Sequence, residues 1–226
     1  MSDQMTKGKC VYCGALFAKS GMTRHLQACQ ARREALAQPL KGRRVRETQI
    51  LQLRVEGRRL PEYWMNIEIP ADATLAHLDQ FLRDIWVECC GHLSAFTIEG
   101  VSYSSDPERD YDERSMRAKI GNVFAPGIVA LYEYDFGSTT EILLRVVGER
   151  EGQYAGYKPQ VLARNEPPEI LCSKCSEPAT WICTACAWED SESWFCDRHA
   201  VEHACGAEAM LPVVNSPRVG VCAYAG

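Results

Sequence analysis

Residues 49–70 read QILQLRVEGRRLPEYWMNIEIP, and apolar side chains alternate with polar ones along both halves of this stretch. A repeat of two residues is the period of a β-strand with one buried face. A glycine-containing segment between two such runs is typical of a hairpin. The stretch therefore predicts two paired strands. Their apolar positions are Ile50, Leu51, Leu53 and Val55 in the first strand and Tyr63, Met65, Ile67 and Ile69 in the second.

A helix is predicted directly after this hairpin. Asp72 and Thr74 offer side-chain oxygens suited to an N-cap. Apolar residues then recur at steps of three and four, at Leu75, Leu78, Leu82, Ile85 and Cys89. Further strands are predicted at residues 96–98, 127–134 and 141–147. The order is close to β-β-α-β-β-β, which predicts an α+β domain over residues 49–150 with one main helix on a sheet.

Four residues of the types that bind zinc lie within the first thirty positions. Two residues separate Cys10 from Cys13, eleven more separate Cys13 from His25, and Cys29 comes four positions after His25. Two thiolates in a turn can share a metal with a His and a Cys on one face of a helix. We predict a zinc finger over residues 1–30. The alternative is that the cysteines are ordinary buried thiols and that His25 is exposed.

A richer cluster lies near the end of the sequence. Eight ligand-type residues fall within 34 positions, namely Cys172, Cys175, Cys183, Cys186, Cys196, His199, His203 and Cys205. They suffice for two tetrahedral zinc ions with none left over. Because the segment has few aliphatic residues, metal binding should supply most of its folding free energy. We predict three zinc ions in total, all structural, since a catalytic zinc usually keeps one open position.

Both clusters are similar to known zinc modules. The front pattern resembles the zinc finger of the Cys-Cys-His-Cys type, and the rear pattern resembles the B-box, RING and MYND group. The second resemblance implies that the pair at Cys172 joins the pair at Cys196. The pair at Cys183 would then join His203 and Cys205. A sequential assignment of the rear ligands stays open.

The segments between these units are predicted to be linkers. Residues 31–48 are rich in Arg and Lys, and residues 151–170 are polar with Gly and Pro. The predicted organisation is therefore a finger at 1–30, a basic linker at 31–48, the α+β domain at 49–150, a linker at 151–170 and a double zinc module with its tail at 171–226. The formal net charge is −5, yet residues 1–48 are net basic.

Three cysteines are left without an assigned role. Cys89 continues the apolar stripe of the helix and is expected in the core. Cys90 would be a reactive thiol only if a charged partner lowered its pKa, and His92 is the nearest histidine in the sequence. No role is predicted for Cys222.

The central segment, over residues 49–147, is similar to the plasmid pRiA4b ORF-3-like family. The matching stretches are LPEYW at 60–64, TLAHL at 74–78, GHLSAF at 91–96 and YEYDFGS at 132–138. The resemblance implies a β-grasp-like domain and a link to plasmids or mobile elements. Among the polar positions of these motifs, His92 and Asp135 are the two able to do chemistry. Residues 211–226, with NSPR at 215–218, resemble the tail of family members that carry a rear cysteine cluster.

Three functions are compatible with these features. The favoured one is a non-catalytic zinc-binding protein that binds DNA or RNA through residues 19–46 and a protein partner through residues 171–226. The cations behind the first surface are Lys19, Arg24, Arg32, Arg33, Lys41, Arg43, Arg44 and Arg46. The alternatives are an enzyme with a pocket near His92 and Asp135, and a pure protein–protein adaptor. With no apolar run long enough to span a membrane and no secretory signal read from the sequence, we expect a cytoplasmic protein.

Overall fold

A single ten-stranded sheet runs through most of the molecule. The computed structural model describes residues 6–42, 44–107, 112–189 and 191–226. The strand order in the large sheet is β2-β1-β10-β4-β3-β9-β8-β5-β6-β7. Its strands are β1 (Lys7–Cys10), β2 (Leu16–Ala18), β3 (Val45–Gly57), β4 (Trp64–Pro70), β5 (Ser94–Ile98), β6 (Val101–Ser104), β7 (Arg114–Ser115), β8 (Val129–Tyr134), β9 (Thr140–Ala155) and β10 (Gln160–Asn165). The protein is a mixed α+β protein dominated by its sheet.

The hairpin predicted from residues 49–70 lies near the centre of this sheet. Strands β3 and β4 pair antiparallel from Ile50 opposite Pro70 to Glu56 opposite Trp64. The long strand β9 pairs with the other side of β3. Every residue of β4 is buried, because a strand alternates its side chains between two faces and both faces of β4 are covered.

One face of the sheet carries the main core. Helix α3 (Leu75–Leu82) begins with a capping box between Thr74 and His77, and it continues as a π-helical turn, Arg83–Val87. The predicted apolar stripe is buried at Leu75, Leu78 and Leu82. A short helix, α4 (Ile120–Val123), packs nearby through Ile120. Cys89 packs at the edge of this core, but it lies in the loop after the helical segment.

The front lobe, residues 6–42, lies on the opposite face of β4. It contains β1, β2, α1 (Lys19–Ala28) and α2 (Gln30–Ala37). Strand β1 pairs with β10 and so extends the large sheet. Trp64 packs in one apolar cluster with Met22 and Leu26 of α1. The front lobe is thus docked on the central sheet and shares its hydrogen bonds.

The rear lobe, residues 171–212, has a small sheet of its own with the strand order β12-β11-β13. Its elements are β11 (Trp181–Cys183), α5 (Thr184–Trp188), β12 (Trp194–Phe195), α6 (Asp197–Val201), a 3-10 turn (Ala207–Ala209) and β13 (Met210–Pro212). Ile182 reaches the main core of the central sheet. The lobe's own buried cluster contains Phe195, Ala200 and two cysteines.

Residues 213–226, which we call the closing segment, return to the central domain. Arg218 is completely buried there, and Val219 joins the main core. The Oγ of Ser216 donates to the backbone oxygen of Trp86 at 2.6 Å. This segment therefore connects the rear lobe to the sheet through buried polar contacts.

The two stretches predicted as linkers contain regular structure. Residues 31–48 include most of α2 and the start of β3, and residues 151–170 include the end of β9 and all of β10. In β9 beyond Val146, positions are exposed or half-buried except for the buried Tyr154. The polar composition of these stretches predicted loops. A strand with one face in solvent is also rich in polar residues, so composition alone did not separate the two.

Candidate metal centres

The four front-lobe residues predicted to bind zinc lie together. Cys10 ends β1, Cys13 follows in a turn that Gly14 closes with a φ of 73°, and His25 and Cys29 lie at the end of α1. Their ligand atoms all lie within 4.8 Å of one another. The Sγ of Cys13 is 3.3 Å from Nε2 of His25, and the ring of Phe17 stacks on the His25 ring at 4.2 Å.

The eight rear-lobe residues form two groups of four. One group is Cys172, Cys175, Cys196 and His199, and the other is Cys183, Cys186, His203 and Cys205. This crossed grouping is the one implied by the resemblance to the B-box, RING and MYND modules. The sequential alternative does not fit, because each group takes two residues from an earlier and two from a later part of the lobe.

The distances within the groups match the edges of a tetrahedral zinc site. Zn–S bonds of about 2.3 Å and Zn–N bonds of about 2.0 Å give edges of roughly 3.8 Å between sulfurs and roughly 3.5 Å between sulfur and nitrogen. In the rear lobe, Cys175 and Cys196 are 3.9 Å apart and Cys186 and Cys205 are 3.8 Å apart between Sγ atoms. The sulfur-to-histidine distances there are 3.2 to 3.4 Å.

Each group contains one thiol whose pKa is lowered toward the thiolate that a metal requires and another whose pKa is raised by burial or by neighbouring thiols. The lowered ones are Cys13, Cys172 and Cys183, and the raised ones are Cys10, Cys175 and Cys205. Burial acts to raise the pKa of Cys172, but backbone N–H groups of Cys196 and Lys174 and the side chain of His199 outweigh it and lower the pKa to about 6. A backbone hydrogen bond from Ala15 lowers the pKa of Cys13. Among the described residues every cysteine is free of disulfide bonds, so the sulfurs are available as ligands.

His92 and Asp135, the pair suggested by the family motifs, converge in space. The Nδ1 of His92 is 3.6 Å from Oδ1 of Asp135. The carboxylate is already engaged, because it accepts a 2.7 Å hydrogen bond from the buried Arg218 and one from the backbone N–H of Gly137. Burial would raise the pKa of Asp135, but Arg218 and backbone N–H groups hold it below its ordinary value. Asp135 is thus the ion-pair partner of Arg218.

A fourth group of ligand-type residues was not foreseen from the sequence. Cys89, Cys90 and His92 lie in the loop that precedes β5, and Cys222 of the closing segment lies beside them. The run CC-x-H at residues 89–92 is a local signal for metal binding. Nothing in the sequence linked it to Cys222, which is 130 positions away from His92.

Of the cations predicted to contact nucleic acid, some form ion pairs within the protein and others are exposed. Lys19 pairs with Glu56 at 2.6 Å, Arg46 pairs with Asp72, and Arg32 is buried against Glu68. Four others are exposed, namely Arg24, Arg33, Lys41 and Arg44. Arg43 lies outside the described residues.

The fold and the site define a class: a sheet-dominated α+β protein that carries Cys/His groups able to hold metal ions. The family described as plasmid pRiA4b ORF-3-like protein matches residues 49–171, which is more than half of the chain. The protein belongs to this family. Among curated proteins, none matches the chain.

One solved structure similar to this chain is the crystal structure of MM3350, a protein of unknown function from Methanosarcina mazei Go1. It is 21% identical, with a TM-score of 0.44 over 51% of this chain and 68% of that chain. Within the ranges that the structure describes, no helix has the length and apolar character needed to cross a membrane.

Proposed function

We propose that this protein is a non-catalytic zinc-binding protein in which three structural zinc ions shape the two lobes on the central sheet. The observation that carries the proposal is the convergence of twelve Cys and His side chains into three groups of four. Four protein ligands fill a tetrahedral zinc and leave no position for substrate or water. Thiolate and imidazole sets of this kind suit zinc over harder cations such as magnesium and calcium.

The low apolar content of the rear lobe supports a structural role for its metals. Its own buried cluster has Phe195 and Ala200 as the buried residues other than cysteine. A lobe with so small a core gains little free energy from burial, so its fold would depend on ligand bonds to the metal. We also propose that the central domain is β-grasp-like and that both lobes are zinc modules.

Two exposed apolar side chains support an interaction role for the rear lobe. Trp188 is 84% exposed and Val201 is 87% exposed. Trp194, in contrast, packs against the main core, and Trp181 donates from Nε1 to Asp197. Tryptophan is enriched among the residues that dominate protein–protein binding energies. We infer that residues 171–226 bind a protein partner through the surface around Trp188.

Nucleic-acid binding through residues 19–46 has weaker support. Lys19, Arg32 and Arg46 have intramolecular carboxylate partners, so these cations are poorly available to phosphates. Exposed Arg24, Arg33, Lys41 and Arg44 would have to supply the affinity. If they do, an Arg24→Ala/Arg44→Ala variant should bind a labelled duplex or single-stranded RNA less tightly at low salt. An unchanged or unmeasurable affinity would remove this surface from the proposal.

The proposal is tested by zinc content measured one site at a time. Native mass spectrometry of Cys13→Ser, Cys175→Ser and Cys186→Ser should show one zinc fewer than the unchanged protein in each variant. Ala185→Ser places the same new hydroxyl between two ligand positions without removing a ligand, and it should keep the full zinc content. Unchanged zinc content in the three cysteine variants, or a protein without zinc, would overturn the proposal.

A further inference from the structure

We propose that Cys89, Cys90, His92 and Cys222 form a fourth zinc site, which ties the closing segment to the central domain. The site lies outside both lobes. Three of its ligands belong to the loop between the helical segment and β5, and the fourth comes from the far end of the sequence. It would act as a metal cross-link between two parts of the chain that are already in contact.

The geometry is that of the other three groups. The four ligand atoms lie within 4.8 Å of one another. The Sγ atoms of Cys90 and Cys222 are 3.7 Å apart, and Sγ of Cys222 is 3.6 Å from Nε2 of His92. These values agree with tetrahedral edges of roughly 3.8 Å between sulfurs and roughly 3.5 Å between sulfur and nitrogen. Three soft thiolates and one imidazole are a donor set that favours zinc.

The residues behind the ligands have the arrangement expected around a metal-bound histidine. A ligating imidazole usually directs its second nitrogen to a carboxylate, which fixes the ring and raises its basicity. His92 presents Nε2 to the cluster, and its Nδ1 lies 3.6 Å from Oδ1 of Asp135, which is near but beyond hydrogen-bond length. Arg218 donates from Nη2 to Sγ of Cys89 at 3.3 Å. Three thiolates exceed the charge of one Zn²⁺ by one, and this guanidinium, which also pairs with Asp135, places positive charge beside one of them.

The loop that carries three of the ligands is held in place before any metal binds. The hydroxyl of Tyr134 accepts from the backbone N–H of Cys89 at 3.4 Å and of His92 at 3.3 Å. Glu88 accepts from the backbone N–H of Gly91 at 2.6 Å and from the Tyr134 hydroxyl at 2.9 Å. On the other side, Cys222 has a φ of 55°, a left-handed conformation that is uncommon for a residue with a side chain. Fixed ligands lower the entropic cost of binding a metal.

A nucleophilic cysteine explains the same residues less completely. Cys222, His92 and Asp135 lie in a row, which is the order of a thiol, a base and an orienting carboxylate. Such an arrangement needs one thiol, whereas the cluster contains three. The convergence of four ligand atoms is accounted for by a metal.

Exposure distinguishes this site from the other three. Each of those contains at least one buried ligand, whereas Cys90 and Cys222 are exposed and Cys89 and His92 are half-buried. We therefore expect the fourth zinc to exchange fastest with a chelator. Its loss should raise hydrogen exchange in the exposed residues around Cys222 while the three other metals stay bound, since Val219 and Tyr224 are buried without it.

The test is zinc content together with thiol reactivity in the full chain, purified under reducing conditions. Native mass spectrometry should give four zinc ions for the unchanged protein and three for Cys222→Ser and for Cys90→Ser. Ala223→Ser is the matched control, because it adds a hydroxyl at the exposed neighbouring position, and it should keep four. Iodoacetamide should alkylate Cys222 slowly in the zinc-loaded protein and at least tenfold faster after chelation.

Several outcomes would overturn the inference. Three zinc ions in the unchanged protein, with no loss in Cys222→Ser, would show that the fourth group binds no metal. Rapid alkylation of Cys222 in zinc-loaded protein would favour the nucleophile, and a Cys90–Cys222 disulfide in reduced-purified protein would favour a covalent link. Failure of the proposed function would give a different result. If the three lobe sites bind no zinc, Cys13→Ser, Cys175→Ser and Cys186→Ser would have the same zinc content as the unchanged protein.

Discussion

Glu68 is a carboxylate on a fully buried strand, held between two arginines from distant parts of the chain. Arg150 of β9 donates to it from Nε at 3.0 Å and from Nη2 at 2.7 Å, and Arg32 of α2 donates from Nη2. Burial would raise the pKa of Glu68, but the two guanidinium groups outweigh it and hold the pKa below the ordinary value of 4.5. This one side chain joins the front lobe to the sheet electrostatically.

Replacing Glu68 by Gln should destabilise the protein by about 3 kcal/mol at pH 7, because it leaves buried guanidinium charge without its partner. Since the pKa of Glu68 is lowered on folding, its contribution is present above pH 4.5 and is lost as the pH falls through the lowered pKa. We would measure urea unfolding at pH 7, 5.5 and 3.5. The difference in free energy of unfolding between the unchanged protein and Glu68→Gln should become smaller only at pH 3.5.

The exposed Glu151 of β9 provides the control. Glu151→Gln should change the free energy of unfolding by no more than about 0.5 kcal/mol at any of these pH values. A gap for Glu68→Gln that stays constant to pH 3.5 would contradict the assignment of a lowered pKa.

Gly8 of β1 lies where a side chain has no room. A Cβ at this position would be 2.4 Å from the Trp64 ring and 2.7 Å from the backbone oxygen of Arg164. Gly8→Ala should therefore cost about 1–3 kcal/mol, as overpacking does in other cores. Gly21→Ala in α1 is the matched control, since a Cβ there would be 3.9 Å from its nearest neighbour, the Phe17 side chain, and alanine favours the helix by up to about 1 kcal/mol. Equal urea midpoints for the two variants would contradict this account.

At the level of elements, the hairpin and the main helix could be predicted, because their apolar periods belong to single segments. The front strands and β10 could not. Strand β1 is only four residues long, and Gly8 and Cys10 give it no clear hydrophobic period. It forms a strand because it pairs with β10. The Cys/His groups of the lobes were predictable from spacing, since their members are close in sequence. Cys222 was not, because only tertiary packing brings it to His92.

The closing segment contains one fully buried charged side chain, Arg218. Arg218 donates to Asp135 at 2.7 Å, to the Thr140 hydroxyl at 3.0 Å and to the backbone oxygen of Ser138 at 3.2 Å. Arg218→Met keeps the length of the side chain but leaves the Asp135 carboxylate buried without its cation. We expect a loss of about 3–5 kcal/mol and faster hydrogen exchange in residues 213–226.

The matched control for this change is Arg59→Met. Arg59 pairs with Glu141 at 2.9 Å, but its side chain is 86% exposed, and surface ion pairs contribute about 0–1 kcal/mol. Hydrogen exchange in residues 213–226 should match the unchanged protein in Arg59→Met. Similar exchange in Arg218→Met would show that the segment is held by its other contacts.

For the whole molecule, the unequal division of apolar residues predicts an order in which its parts lose structure. The central sheet has a core of its own, built from strands β3, β4, β8 and β9 and helix α3. The front lobe adds contacts that do not need metal, through Trp64, the β1–β10 pairing and Glu68. The rear lobe has the smallest independent core, so it should depend most on zinc.

Of the two lobes, the rear one should therefore respond first to chelation of zinc, after the exposed fourth site has lost its metal. Hydrogen exchange measured by mass spectrometry should rise strongly in peptides from residues 172–205, rise less in residues 6–42, and stay unchanged in β3 and β9, whose amides pair in the middle of the sheet. A chelator already saturated with zinc is the control, and returning zinc should restore the protection. If the rear lobe kept its protection without metal, or if β3 and β9 lost theirs together with it, metal ligation would not be what supports the lobe.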